Sequence, residues 1–345
     1  MDIGATSVAA AVEIDGRASV FPMGSAAPAP AVVLRWDDGT FLTGEAAVRC
    51  TGAFPELAIH QIANWLGDPT PLTVGGLTHS AEGLTAHLLG AVVSRVVQTH
   101  RRPIDRVVLT HPAHWTTVRQ ESLRTAARLA GIEHSSIDLV PAPEAAAMAH
   151  NSTWAGEGGA PFAVYDLGGT SFEVSVLRPT HRRFELLGKP EAIKDLGGVN
   201  FDAALRTQVT TAAKVEVDDG ATTDLARLNH ECTKAKEGLS LCDEVVGPLR
   251  WGTDRTEVGV TREQFESIIE PLVTETINAT NRALQSADVE PAELDRLIIA
   301  GGSSRIPMVA ASVAEAFGLP VVAGPHPRHC VALGAACVPM LLMEP

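Results

Sequence analysis

The chain of 345 residues has no lysine before Lys189, a single tyrosine, 4% aromatic residues and five cysteines. Acidic residues outnumber Lys and Arg by 41 to 27, giving a formal charge of −14 and a pI near 5.3. That balance leaves too little clustered positive charge to neutralise nucleic-acid phosphates, and so few aromatics provide no stripe on which single-stranded bases could stack. Nucleic acid is excluded as a partner. The cysteines (Cys50, Cys232, Cys242, Cys330 and Cys337) are odd in number, scattered and form no C-x-x-C, as expected of reduced, mostly buried thiols in a cytoplasmic protein. No basic segment leading into an apolar core opens the chain, and runs such as HLLGAVVSRVV are too short and too charged to span a bilayer.

What is present is 45% hydrophobic residues in a chain long enough for two lobes, and a motif used twice. DIGATS at 2–7 returns as DLGGTS at 166–171. Around each copy the pattern predicts strands: SVAAAVEI after the first, FAVYD before and SFEVSVLR after the second. The first half continues with AVVLRWDDGTFLTG, a hairpin with a D-G turn, and the helix GLTAHLLGAVVSRVV. RVVLTH is a buried strand, TTVRQESLRTAARLAG a helix stopped at Gly131, IDLV a strand, and PEAAAMAH a helix with Pro143 near its start. NSTWAGEGGAP at 151–161 is a polar, Gly-rich link. The second half adds FELLG, helices near 200–214 and 224–241, strands near 245–260, a helix opened by the Thr261-x-x-Gln264 capping box, the strand LDRLIIA and a closing helix. Asp2 is preceded only by Met1, so the first strand is cut short: upstream residues were omitted, the start was misassigned, or the lobe edge is weakly paired.

A strand that ends in Asp and turns through Gly and hydroxyl residues into a second strand exposes backbone N–H groups as an anion cradle. Asp beside such a cradle repels a phosphate unless a cation such as Mg²⁺ and its waters lie between them. A single copy would be an ordinary tight hairpin; two copies in matching contexts point to opposed phosphate clips. LIIAGGSSRIPMV at 297–309 adds a buried strand, two glycines and hydroxyls that let a flat ring or ribose lie against the backbone.

The set DIGATS, DLGGTSFEVSV, DLGGVNFDAAL, KAKEGLS and IAGGSSRIPMV, in this order, resembles the nucleotide-binding domain of the DnaK-type heat shock protein 70 chaperones, within the actin-like ATPase superfamily. RVVLTHPAHWTTVRQESLRTAARLAGI and CVALGAA are similar to the same family, so the likeness covers essentially the whole chain. It implies an α/β, ribonuclease H-like fold of two duplicated lobes, each a mixed β-sheet flanked by helices. Lobe I would be 1–158 with a small subdomain at about 20–83, and lobe II 159–345 with one at about 200–274. It implies ATP or ADP with Mg²⁺. Gly4, Ala5 and Thr6 would form the first phosphate loop, Gly168, Gly169, Thr170 and Ser171 the second, with Gly197 and Gly198 facing phosphates and ribose. Lys236, Glu237, Ser240, Gly301, Gly302, Ser303 and Arg305 would line the adenosine pocket, and Asp2, Asp166 and Glu173 would hold Mg²⁺ through water.

The departures bear on activity. The family's first-lobe lysine, which helps position the attacking water, is absent; His60 is the nearest basic residue and a poor cation at neutral pH. Ala142 takes the place of the catalytic Glu in PAPEAAA, with Glu144 two residues later. Ala5 replaces a Thr of the first loop, Glu173 an Asp, Glu237 the arginine that stacks on adenine, Thr233 a ribose-binding Glu, and Arg328-His329 an acidic pair. The expectation is a nucleotide-binding switch with weak or absent hydrolysis. The alternatives are a nucleotide-free scaffold for protein binding and an ATPase in which His60 and Glu144 act as catalytic substitutes. A protein partner or a trimmed C-terminal segment is expected to sense the lobes, since the family continues into a β-rich peptide-binding domain. H-x-x-H pairs at His111/His114 and His326/His329, with Cys330 adjacent, have a spacing compatible with zinc but not diagnostic of it.

Overall fold

A computed structural model describes residues 1–24, 28–150, 159–181, 183–217, 222–252, 254–324 and 326–343. Apart from its last three residues, the link expected at 151–161 lies outside the described residues. The first half runs β1 (Asp2–Ile3), β2 (Ser7–Ile14), β3 (Arg17–Phe21), β4 (Ala29–Pro30), β5 (Val33–Arg35), β6 (Phe41–Thr43), α1 (Gly44–Thr51), β7 (Ala58–Ile59), β8 (Leu72–Val74), β9 (Leu77–His79), α2 (Ala81–His100), β10 (Val107–His111), α3 (Thr117–Leu129), β11 (Ile137–Pro141) and α4 (Ala142–Ala149). The second runs β12 (Phe162–Leu167), β13 (Ser171–Pro179), β14 (Phe184–Lys194), α5 (Gly198–Ala213), α6 (Thr222–Leu239), β15 (Glu244–Trp251), β16 (Asp254–Thr261), α7 (Arg262–Ser286), β17 (Leu297–Ala300), α8 (Pro307–Phe317), β18 (Val321–Ala323) and α9 (Cys330–Met343).

The second half is organised by one sheet in the order β14-β13-β12-β17-β18, antiparallel through β13 and parallel through β17. Its central strands read as unbroken apolar runs because helices cover both faces: Phe162 to Tyr165 and Leu297 to Ala300 are buried throughout. The first half repeats that order. β3, β2 and β1 are antiparallel neighbours and β10 and β11 are parallel. The Met1 ammonium donates to the Val108 carbonyl at 2.6 Å and the Thr110 amide to the Met1 carbonyl at 3.1 Å, stitching β1 to β10. β1 is therefore an interior strand of two residues where its counterpart β12 has six, not a weakly paired edge.

Two helices cross between the halves. α9 packs along β2, β3 and β10 of the first sheet, while α4 touches β12, β13 and β17 of the second and lies against α9. Their crossing forms a shared apolar core containing Val108, Val140, Ala145, Ala146, Phe162, Val164, Ile298, Val331 and Ala335. It is packed to backbone contact. A Cβ on Gly334 of α9 would stand 1.6 Å from the Ala145 carbonyl oxygen of α4.

Gly334→Ala is therefore expected to cost about 1–3 kcal/mol or more through overpacking. Gly90→Ala, in α2 with open space at the Cβ position, should be neutral or stabilise by up to about 1 kcal/mol. Urea unfolding of the two variants checks this; equal stabilities would contradict the close crossing.

Candidate functional site

The two copies of the motif fold into one local structure. In each, the glycine amide closes the turn onto a serine carbonyl: Gly4 to Ser7 and Gly168 to Ser171, both at 2.9 Å. The register is the same, since Asp2 pairs with Ala9 and Ile3 with Val8 as Asp166 pairs with Glu173 and Leu167 with Phe172. The turns face and touch one another. A Cβ on Gly169 would lie 2.1 Å from Thr6 Oγ1, so only glycine admits the Thr6 side chain there. Behind the second turn, the amides of Gly198 and Val199, which open α5, donate to the carbonyls of Gly168 (3.1 Å) and Gly169 (2.7 Å). Gly197 presses on the backbone of Gly169 and Thr170. Asn64, in the turn after β7, reaches Thr170 Oγ1 at 3.5 Å, and Arg119 of α3 holds that turn through the Asn64 (2.7 Å) and Leu66 (2.9 Å) carbonyls.

Three carboxylates gather near the turns. Burial first, and then the charges of Asp2 and Glu173, push the Asp166 carboxyl up to about 7. Burial also raises Asp2, against the opposing effect of a 2.7 Å hydrogen bond from Thr110 Oγ1. Glu173 is held from across the cleft, where the His114 amide donates to Oε1 at 3.2 Å and His114 Nδ1 lies at the same distance. Its longer arm thus docks on the first half. Among the described residues no group of three His, Cys, Asp or Glu side chains is close enough to hold a metal directly. Hard carboxylate oxygens gathered but not converged on one point fit a Mg²⁺ ion that keeps its waters.

The expected nucleoside pocket lies between α6 and the turn after β17. Lys236 does not project into it freely: Nζ donates to the Gly198 carbonyl at 2.8 Å and pairs with Asp202 at 2.8 Å, and Asp202 also accepts from Thr233 Oγ1 at 2.9 Å. Ser303 Oγ donates to the Gly168 carbonyl at 2.8 Å, and Ser240 Oγ to the Lys236 carbonyl at 3.3 Å. Gly301, at φ +83, backs onto Asp166 and Leu167, while Arg305 is exposed. Glu237 accepts from the Arg328 guanidinium. Two of the residues that depart from the family's charge pattern in this region are thus paired with each other.

The candidates for catalytic substitution are placed differently. Ala142 opens α4, and Glu144, two residues or about 200° further around the helix, faces elsewhere. Burial raises the Glu144 carboxyl, and the charge that opposes this is Arg183, in the turn between β13 and β14 at the opposite end of β13 from the motif. His60 follows β7, and burial holds it below the ordinary imidazole value, so it is neutral at pH 7 and supplies no positive charge. Asn64, Thr110, His114 and Asp202 enter the site without having been expected there. The H-x-x-H spacing of His111 and His114 gives no sign of the contact to Glu173.

Because the folded pKa of Asp166 lies above its unfolded value, the group contributes stability at low pH that is lost as pH rises from the ordinary carboxylate range through about 7. In the ligand-free chain, stability to urea should fall more steeply between about pH 5 and about pH 7.5 for the parent than for Asp166→Asn. Parallel slopes would show that Asp166 does not titrate under strain.

The description "Hsp70 protein" matches residues 64–344. Among curated proteins, the chain is 35% identical over 287 residues to the chaperone protein HscA of Citrobacter koseri, covering 82% of this chain and 44% of that protein. It is 34% identical over 300 residues to HscA of Shigella flexneri (86% and 46%), and 34% over 265 residues to an HscA homolog of Burkholderia mallei (76% and 42%). The chain spans less than half the length of these relatives.

Proposed function

Since the chain belongs to the Hsp70 family and has its actin-like ATPase fold, we propose that it binds ATP or ADP with Mg²⁺ between two lobes as a conformational switch, with weak or absent hydrolysis. The observation that carries this reading is the meeting of the twin turns at Thr6 and Gly169, which brings the two glycine- and hydroxyl-bearing loops of the repeated motif face to face. Phosphate oxygens would lie against Gly4, Ala5 and Thr6 on one side and residues 168–171 on the other, with Gly197 and Gly198 closing the back. Asp2, Asp166 and Glu173 would hold Mg²⁺ through its waters, and the ion would screen the phosphates from the carboxylates. The nucleoside would extend toward Gly301, Gly302, Ser303 and Arg305, with Lys236, Glu237 and Ser240 on the opposite wall. Lobe I would comprise 1–158, with its small subdomain at about 20–83, and lobe II 159–345, with its own at about 200–274.

Hydrolysis requires an attacking water to be positioned and the transferring group's charge to be stabilised. Ala142 offers neither acid nor base, Glu144 is aimed away, and His60 is neutral, which supports slow turnover. The Arg328–Glu237 pair and the internally bonded Lys236 and Ser303 also favour a second reading, a scaffold that has given up nucleotide and binds a protein partner. Among the described residues no helix is long and apolar enough to cross a membrane, and the five free cysteines support a reducing, cytoplasmic setting.

Calorimetric titration with ATP and ADP, each with and without Mg²⁺, separates the readings. Dissociation constants of micromolar order or tighter, strengthened by Mg²⁺, support the switch; no heat at several temperatures and no thermal shift leave the scaffold. In single-turnover assays, His60→Ala and Glu144→Ala should hydrolyse ATP at the parental rate. A tenfold drop in either, about 1.4 kcal/mol of lost stabilisation, would restore that residue to a catalytic role.

A further inference from the structure

Arg328 crosses the expected nucleoside pocket from one wall to the other. Its stem runs over Gly302, with Nε, Cγ and Cδ at 3.4, 3.7 and 3.9 Å from the position a Cβ would take there. Its guanidinium ends on Glu237 of α6, 91 residues away in sequence. The floor beneath cannot retreat, because Gly301 is already pressed onto the Leu167 carbonyl and the Asp166 side chain. The walls are pinned as well, Ser303 to Gly168 and Lys236 to Gly198 and Asp202. The strap is the part that can yield: its side chains are 30% and 49% exposed, so water replaces the pair at small cost.

We propose that the Arg328–Glu237 strap determines which ligands the cleft accepts, by covering the Gly301–Gly302 floor against a flat base while leaving the phosphate turns accessible. The strap lies over the nucleoside floor, whereas the two turns meet at Thr6 and Gly169, so the phosphate and nucleoside parts of one ligand are controlled separately. A ligand that is all phosphate reaches the turns with the strap closed. A nucleotide must break the pair and lift the arginine before its base can settle. The cleft therefore favours polyphosphate, and a base adds little to the affinity of the phosphates that carry it. This inference rests on the phosphate-loop reading above.

The test is calorimetry of Mg²⁺-pyrophosphate and Mg²⁺-ADP against the parent chain, Arg328→Ala, Arg328→Gln and Glu237→Ala, with thermal melts to establish that each variant is folded. Pyrophosphate should bind all four alike. ADP should bind the parent about as tightly as pyrophosphate, and should tighten roughly two- to five-fold in Arg328→Ala and Arg328→Gln, the range expected for releasing a partly exposed ion pair. Glu237→Ala should tighten ADP less, because the arginine stem still lies on Gly302. Unchanged ADP affinity in both arginine variants would overturn the proposal, and weaker binding would show that Arg328 grips the base. Failure of pyrophosphate to bind any of the four would instead sink the phosphate-loop reading, and the strap with it.

Discussion

A backbone carbonyl resting on a bare Cα holds the two halves in register. Ala145 on α4 and Gly334 on α9 approach so closely that no side chain fits between them, and the helices cross with each reaching the other half's sheet. Helix axes normally stay about 8–10 Å apart because side chains intervene; small residues on both faces remove that spacer. From this crossing the rest follows. It fixes the shared core, which aligns the ends of β1 and β12, which brings Thr6 onto Gly169. The cleft chemistry is downstream of a packing contact that holds no functional group.

The elements that formed the site could be read from the sequence where the signal was local and repeated. DIGATS and DLGGTS announced two equal turns, and the structure gives them the same hydrogen bond at the same length. The apolar run LIIA announced the buried strand β17, and the Thr261 capping box opens α7 as expected. Contacts between residues far apart in the chain were not legible. Nothing around Lys236 indicates that Asp202 and the Gly198 carbonyl occupy it, and nothing in PEAAAMAH shows where Glu144 points until the helix start at Ala142 is fixed. Arg328 and Glu237 looked like two separate losses. They are one exchange, visible only once the chain is folded.

That exchange bears on the slow hydrolysis proposed for the cleft. Ala142 carries no acid and Glu144 lies about 200° further around α4, whereas both backbone turns, which need only glycine and a fixed register, keep the same closing hydrogen bond. Side-chain chemistry can be removed one substitution at a time without disturbing the fold. The turns cannot, because Gly169 and Gly197 are enclosed by neighbouring atoms and any replacement must push those atoms apart.

The pairing of Ala9 with Asp2, where Glu173 pairs with Asp166, separates the symmetry of the backbone from the symmetry of the charge. The chain path repeats, but two of the three carboxylates belong to the second half, and one of them, Glu173, already leans across to His114. A divalent ion held through its waters between the halves would meet two carboxylates on one side and one on the other. In the proposed switch, ion occupancy and closure are a single linked equilibrium, with the first half acting as the lighter arm of a clasp.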